Sequence, residues 1–181
     1  FFNQYLKDGA PKANTPPVLI YNTGENHWDR LQKWPMSCDS GCAFKSQALY
    51  LEADHGLSFT APKAGGGEYD EDVSDPGNPV PFYPRPYSGA HGEWTTWLVH
   101  DQRFVDGRPD VLTWETPVLT NPVRVEGRPM VHLMASTSGT DSDWAVKLID
   151  VYPGQYPPDP SMGGYELPIS TDIFRGRYRT S

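Results

Sequence analysis

Short runs of apolar, β-branched and aromatic residues, separated by Gly, Pro and Asp, recur along most of this chain. At residues 130–137 apolar and polar side chains alternate, and residues 144–152 carry the strongest strand pattern. Successive side chains of a strand point to opposite faces, so these runs predict β-strands. The same criteria predict strands at residues 17–22, 48–53, 56–60, 110–114, 118–120, 122–127, 165–169 and 173–179.

Helical patterning is confined to the beginning of the chain. Residues 1–9 have the character of the end of an amphipathic helix, which leads us to expect that the chain is cut from a longer polypeptide; residues 10–16 form a linker. Residues 27–33 are a second helix candidate. Residues 70–92 form a long loop, and such loops inside compact domains are usually functional or disordered. The aromatic residues of this loop argue against disorder.

The spacing of the predicted strands favours an all-β fold. Short strands at intervals of 8–12 residues are typical of a β-sandwich or jelly roll. Composition agrees, since 17 Gly, 19 Pro and 13% aromatic residues suit short strands joined by irregular loops. We therefore expect a helix remnant and linker at residues 1–16 and a sandwich at residues 17–181. The last predicted strand stops at the final residue, so we expect the sandwich to be incomplete at its C-terminus.

Charge and hydropathy exclude two kinds of partner. The formal net charge is −8, whereas binding to phosphate backbones needs clustered Lys and Arg, so we expect no nucleic-acid partner. One basic run, Arg175, Arg177 and Arg179, alternates and would share one face of the last strand. The chain has no run of about 18 apolar residues, so we expect no membrane span.

Cys38 and Cys42 are the two cysteines of the chain, and three residues including a Gly separate them. That spacing can close a small disulfide loop, although free thiols remain an alternative. A zinc site is disfavoured because the pair has no further cysteine or nearby His cluster. A disulfide would indicate an oxidising compartment, such as the periplasm or the cell exterior.

A self-contained active site is not evident in the residues. A serine hydrolase of the α/β type needs a G-x-S-x-G elbow, and residues 56–60 share only its first half, around Ser58. The five histidines show no metal-binding spacing, and His132 fits a strand. The acidic residues at 70–75 form either a solvated loop or a calcium site without the usual spacing. Asp141 and Asp143 fit a turn that begins the next strand. We predict no cofactor.

Several stretches together resemble one enzyme family. The segment Tyr21 to Arg30, followed by Trp34 and Pro35, resembles the first sandwich strand and loop of the α-amino acid ester hydrolases, relatives of cocaine-esterase-like and X-prolyl dipeptidyl-peptidase enzymes. Residues 141–153 resemble the signature of that family's C-terminal domain, an acidic turn followed by a strand ending in Leu-x-Asp-Val. Residues 173–179 resemble a later strand of the same domain, and residues 1–9 resemble the helix that ends the catalytic domain.

The resemblance implies a galactose-binding-like jelly roll that packs beside an α/β-hydrolase domain of the same polypeptide. All three catalytic triad positions would lie before residue 1, so no catalytic residue is assigned to this chain. The implied enzyme is a serine esterase that transfers acyl groups from α-amino acid esters to water or to β-lactam amines. We expect a homo-oligomer in the periplasm or outside the cell.

The corresponding loop of the resembling esterases approaches the acyl pocket. On that resemblance, Tyr83, Arg85 and Tyr87 are the candidate substrate-cleft residues, and the prolines between them stiffen the loop. Equally, these side chains could seal the interface with the catalytic domain.

A carbohydrate-binding module is the alternative function. Exposed Trp rings can stack on sugars, and four tryptophans are predicted to lie in loops. They are Trp28, Trp34, Trp94 and Trp97.

Overall fold

The computed structural model describes residues 1–36, 40–42, 44–63, 69–83, 86, 88–89 and 91–178. The chain divides into two compact units. Unit 1 consists of Phe1–Tyr50, Leu57–Ala61 and Thr116–Met130, and unit 2 of Leu51–Gly56, Pro62–Glu115 and Val131–Ser181. The predicted boundary between residues 16 and 17 stays a prediction.

Unit 1 is built on an antiparallel hairpin. A short helix α1 (Asn3–Leu6) comes first, and β1 (Val18–Asn22) then pairs with β2 (His27–Leu31). The turn is stabilised because Asn22 Oδ1 accepts a hydrogen bond from the backbone N–H of Glu25 at 3.1 Å, and Asn26 takes a left-handed φ of 55°. The prediction of a strand at 17–22 is confirmed. The helix at 27–33 is wrong, because these residues satisfy their backbone groups by pairing with β1.

Two very short strands come next in the chain. They are β3 (Tyr50–Leu51) and β4 (Leu57–Ser58), and a 3-10 turn at Ala53–His55 lies between them. Both fall within the predicted strands at 48–53 and 56–60. Asp54 and His55 have positive φ values of 56° and 59°, which gives the turn its tight form.

Unit 2 is centred on a second, longer antiparallel pair. β5 (Asp143–Val151) pairs with β6 (Glu166–Arg175) from Asp143 opposite Arg175 to Val151 opposite Glu166, with a register shift between Leu148 and Ile149. The strand predicted at 144–152 is thereby confirmed. The two strands predicted at 165–169 and 173–179 are one strand instead.

The helical elements of unit 2 are short. Besides the 3-10 turn at Ala53–His55, those among the described residues are the helix α2 (His91–Leu98) and 3-10 turns at Gln102–Val105, Pro160–Met162 and Gly176–Tyr178. Because β6 ends at Arg175, Arg177 lies in a 3-10 turn, and the prediction that it shares a strand face with Arg175 is wrong. Arg179 lies outside the described residues.

The strands predicted between residues 110 and 137 are not regular strands. This segment is irregular apart from one isolated bridge that joins Glu115 to Gly56. Pro117, Pro122 and Pro129 interrupt it, and a proline has no N–H to contribute to a ladder. His132, expected in a strand, is therefore an exposed residue of irregular backbone.

Apolar side chains remain accessible in both units. Among the described residues no large apolar side chain is fully buried, and Gln102, at 5% exposure, is the most buried polar one. Each unit therefore holds its form through strand pairing and polar anchors, and it leaves much apolar surface for contact with something else.

Candidate functional site

The candidate substrate-cleft loop joins helix α2 through Tyr83. The Tyr83 hydroxyl donates a hydrogen bond to Glu93 Oε2 at 3.1 Å. Hydrogen bonds from Ser88 and then from Tyr83 lower the pKa of the Glu93 carboxyl, so that it stays ionised and acts as an acceptor. Of the three predicted cleft residues, Tyr83 thus contacts helix α2 through Glu93, whereas Arg85 and Tyr87 lie outside the described residues.

Helix α2 presents an aromatic surface that we call the α2 aromatic cluster, made of Phe82, Tyr83, Trp94 and Trp97. Trp97 is at its centre: its ring centroid lies 4.6 Å from that of Phe82, 4.8 Å from that of Trp94 and 6.4 Å from that of Tyr83. The Trp97 indole N–H also donates to the backbone carbonyl of Phe82. Edge-to-face and offset contacts of this kind fix the loop against the helix.

The α2 aromatic cluster is accessible from outside. Phe82 is 53% and Trp94 46% exposed, while Trp97 is half-buried beneath them. Large, rigid, accessible aromatic groups are characteristic of interaction surfaces. The cluster can therefore pack against an apolar partner or stack on a ring.

A polar anchor holds the segment that follows α2 against the β5–β6 pair. Asp101 accepts hydrogen bonds from the Arg103 side chain and from the backbone N–H of Glu166 at 3.3 Å. The Arg103 hydrogen bond is the main reason that the pKa of Asp101 is lowered. The Tyr165 hydroxyl donates to the carbonyl of Val99 at 2.6 Å. The end of α2 is thus fixed to the beginning of β6.

A second anchor lies beside it and joins the Gln102 side chain to β5. Lys147 Nζ donates to Gln102 Oε1, and the Gln102 amide donates to the carbonyl of His100. Lys147 also lies over the Phe104 ring, 5.5 Å from its centroid. Burial lowers the pKa of the Lys147 ammonium, because charge is costly away from water.

Unit 1 carries its own group of charges, around Asp29 of β2. Asp29 pairs with Arg124 at 2.7 Å and with His27 at 2.8 Å, and the Arg124 hydrogen bond is the main cause of a lowered pKa at Asp29. Arg124 also lies 3.2 Å from Glu126, whose other carboxylate oxygen accepts the Met36 N–H at 2.6 Å. The Asp29–Arg124 and Met36–Glu126 contacts join residues 95 and 90 apart in the sequence and hold residues 124–126 against β2 and the segment that follows it.

Comparison with known proteins identifies the domain family of this chain. A family profile described as the X-Pro dipeptidyl-peptidase C-terminal non-catalytic domain matches residues 11–181. The chain belongs to this family. The membership that residues 141–153 predicted is therefore confirmed.

Individual relatives agree with this assignment. The chain is 29% identical to a cocaine esterase of Rhodococcus sp. (strain MB1 Bresler) over 99% of its own length and 30% of that relative. Among solved structures it is similar to a selenomethionine-labelled α-amino acid ester hydrolase, with 66% identity and a TM-score of 0.91 over 99% of the chain and 30% of that protein. It is also similar to an aminopeptidase of the marine sediment archaeon Thaumarchaeota archaeon, with 46% identity and a TM-score of 0.87 over 100% of the chain and 29% of that protein.

These similarities confirm the predicted fold class, an all-β jelly-roll sandwich domain. The chain spans about a third of the length of the relatives that it matches.

The predicted disulfide between the two cysteines is described at one of its ends. Cys42 is disulfide-bonded, but Cys38 lies outside the described residues, so the pairing stays a prediction.

Within the described part of the chain, no group of three or more His, Cys, Asp or Glu side chains is arranged to hold a metal ion. Asp75 Oδ1 accepts the Gly77 N–H at 2.9 Å, which is a turn contact. Ser58 Oγ accepts the Thr60 N–H at 3.0 Å. None of the described helices has the length and apolar character to cross a membrane.

The tryptophans of the carbohydrate-binding alternative are distributed differently from the prediction. Trp94 and Trp97 lie in helix α2 and Trp28 lies in β2, so their placement in loops is wrong. Trp34 lies in an irregular segment as predicted. Trp28 packs on Tyr21, with ring centroids 5.2 Å apart, and Trp94 stacks on Trp97. Trp28, Trp94 and Trp97 thus each have at least one ring neighbour already, and carbohydrate binding stays a prediction.

The helix that carries the aromatic cluster was missed by sequence reasoning. The available signal was the spacing of Trp94 and Trp97, which at i and i+3 share one helix face. The polar residues between them, Thr95 and Thr96, donate their hydroxyls to the Gly92 carbonyl at 3.0 and 2.8 Å, so they satisfy their own polar groups within the helix.

Proposed function

We propose that this chain is the accessory domain of a longer serine hydrolase, whose α/β-hydrolase domain lies in the same polypeptide. The whole enzyme would hydrolyse α-amino acid esters and transfer the acyl group to amines such as β-lactam nuclei. The observation that carries the proposal is membership of a non-catalytic domain family, together with 66% identity to an α-amino acid ester hydrolase over 99% of the chain.

The accessible apolar surface supports a role beside another domain. Phe82 and Trp94 of the α2 aromatic cluster, with Leu98 and Val99 close behind in the sequence, are each 46–53% exposed. Contiguous apolar surface on soluble proteins usually marks an interaction site. A catalytic domain that covers this surface would remove it from water. Each Å² of apolar area buried in this way would contribute about 25 cal/mol of favourable free energy.

A contact between the two domains would affect the acyl-transfer step. In a serine esterase the acyl group is held on the nucleophile before water or an amine takes it. A second domain that walls the cleft would limit the access of water during that interval and so favour transfer to an amine. Tyr83, Arg85 and Tyr87 are the residues that we propose to reach this cleft.

The proposed setting follows from the cysteines and the enzyme class. We propose a periplasmic or secreted location, because a disulfide persists in an oxidising compartment and Cys42 is disulfide-bonded. We further propose that the enzyme forms a homo-oligomer.

The first prediction is that the chain alone does not hydrolyse phenylglycine methyl ester. It lacks a G-x-S-x-G elbow, and its family is non-catalytic. The measurement is release of acid in a pH-stat, with heat-denatured chain as the blank. Turnover above the blank that a serine-directed inhibitor abolishes would show that the chain holds a nucleophile of its own.

The second prediction concerns the loop and needs a complete enzyme. We suggest a chimera in which this chain replaces the matching 30% of the similar α-amino acid ester hydrolase. In that chimera Tyr83→Ala, Arg85→Ala and Tyr87→Ala should each change the ratio of kcat/KM for phenylglycine and alanine esters by more than about threefold. A lost substrate contact acts differently on two acyl groups, whereas a loss of stability does not.

Two control variants separate contact from support. Tyr83→Phe removes only the hydroxyl that bonds to Glu93, so it tests whether that hydrogen bond positions the loop. Tyr69→Ala truncates an 81% exposed tyrosine elsewhere and should leave the ratio unchanged. If all three loop variants keep the ratio within about twofold and merely lower Tm, the loop seals an interface and the cleft assignment is wrong.

A further inference from the structure

Helix α2 carries Glu93 in its first turn, and this carboxylate contacts the preceding chain at two residues. The Tyr83 hydroxyl donates to Glu93 Oε2 at 3.1 Å. Ser88 donates to the same carboxylate through its hydroxyl and through its backbone N–H. Hydrogen bonds from Tyr83 and from Ser88 thus converge on one side chain of the helix.

The same face of α2 holds the residue before Tyr83. Trp97 follows Glu93 by four residues, so the two side chains lie one above the other on the helix. The Phe82 ring packs on Trp97 with centroids 4.6 Å apart, and the Trp97 indole N–H donates to the Phe82 carbonyl. Phe82 and Tyr83 are therefore bound to successive turns of one helix face.

A carboxylate suits the position of Glu93 because it only accepts hydrogen bonds. In its ionised form it has two oxygens and about four lone-pair sites, enough for the donors of Ser88 and Tyr83. Those hydrogen bonds lower the pKa of Glu93, so the group is ionised at neutral pH. A glutamine in its place would have one acceptor oxygen and would turn an NH₂ group towards donors.

We propose that Glu93 is a positioning residue, which clamps Tyr83 and Ser88 on helix α2 and so fixes the orientation of the Tyr83 ring. Tyr83 reaches the substrate cleft in the proposed function, on which this role of Glu93 rests. Glu93 acts through Tyr83 and does not touch the substrate. A tyrosine that is already held in one orientation loses less conformational freedom when it meets an acyl group.

The clamp is tested in the whole chain by NMR titration of the Glu93 carboxyl carbon. The pKa of Glu93 should lie below its ordinary value of 4.5. Ser88→Ala should raise that pKa more than Tyr83→Phe does, because the Ser88 hydroxyl is the larger cause of the shift. A Glu93 carboxyl with an ordinary pKa, or one that neither variant changes, would overturn the clamp.

Hydrogen exchange of the Ser88 amide gives a second reading of the clamp. Glu93→Gln should speed this exchange at least about fivefold, because the amide loses its acceptor. Glu71→Gln makes the same chemical change at another exposed glutamate of unit 2 and should leave the exchange unchanged. Equal exchange rates in Glu93→Gln and in the parent would overturn the clamp.

The positioning role is tested in the chimera proposed above. Glu93→Gln should change the ratio of kcat/KM for phenylglycine and alanine esters in the same direction as Tyr83→Ala, by more than about twofold. In the Tyr83→Ala background, Glu93→Gln should have no further effect on the ratio, because two residues that act through one contact are not additive.

The possible failures are distinguishable. An active chimera in which Glu93→Gln leaves the ratio unchanged, or adds its full effect to that of Tyr83→Ala, would overturn the positioning role and leave the proposed function standing. An inactive parental chimera would overturn the proposed function and the positioning role together, and the titration and exchange measurements would still decide whether the clamp exists.

Discussion

Gly176→Ala should be strongly destabilising. A Cβ at this position would lie 2.5 Å from the Ser142 carbonyl oxygen and 3.0 Å from Trp144 Cζ3. The Gly176 N–H donates to that same carbonyl at 2.9 Å, so relief of the clash stretches the hydrogen bond that closes the β5–β6 pair. Overpacking against backbone that cannot give way costs about 2–4 kcal/mol.

The measurement is the free energy of unfolding from urea titration, followed by tryptophan fluorescence. Gly92→Ala is the matched control, because a Cβ there meets nothing within 4 Å and Gly92 lies in helix α2. Gly92→Ala should leave the free energy of unfolding unchanged or raise it by about 0.5–1 kcal/mol, since alanine favours helix more than glycine does. If Gly176→Ala unfolds within about 0.5 kcal/mol of the parent, the close packing at the end of β6 is wrong.

Gln102→Leu should lower the free energy of unfolding by about 2–3 kcal/mol at neutral pH. The side chain of Gln102 is 5% exposed and accepts the hydrogen bond of the half-buried Lys147 ammonium. Its removal leaves a half-buried charged donor and the His100 carbonyl without their partner, which costs more than an average hydrogen bond because the donor is charged. Gln155→Leu, an exposed control, should change stability by less than about 0.5 kcal/mol.

The effect of Gln102→Leu should also depend on pH. Burial lowers the pKa of Lys147 in the folded state below its unfolded value. The cost of burying the charge is therefore fully present below the folded pKa and is relieved as pH rises from that value towards the unfolded one. The loss caused by Gln102→Leu should be smaller at pH 10.5, the ordinary pKa of lysine, than at pH 7. An equal loss at both pH values would mean that the ammonium is not the group left unsatisfied.

Strands whose pattern is local were predictable from the sequence. β1 and β5 match the predicted runs at 17–22 and 144–152, because their β-branched and aromatic side chains fit a pleated, half-buried surface. β2 was missed although Thr23 to Asn26 is rich in turn-forming residues. The turn residues connect β1 to residues 27–31. These residues form a strand because they pair with β1, from Val18–Leu31 to Asn22–His27.

Other features depend on contacts between distant residues and were not predictable. Residues 110–137 have strand-like composition, but prolines and the absence of a ladder partner in the described part of the chain leave them irregular. In the candidate site, the aromatic content of the loop was visible, whereas the bond from Tyr83 to Glu93 depends on a helix that the pattern did not indicate. The hydrogen bond from Met36 to Glu126 likewise joins residues 90 apart.

An accessory domain should support the activity of a related catalytic domain. The similar α-amino acid ester hydrolase is prepared intact, with its matching 30% deleted, and with this chain in place of the deleted part; kcat/KM for phenylglycine methyl ester is then measured for each. We expect the deletion to lose at least about 90% of the activity and the chimera to recover most of it. A soluble, folded chimera no more active than the deletion would show that this chain does not support the catalytic domain.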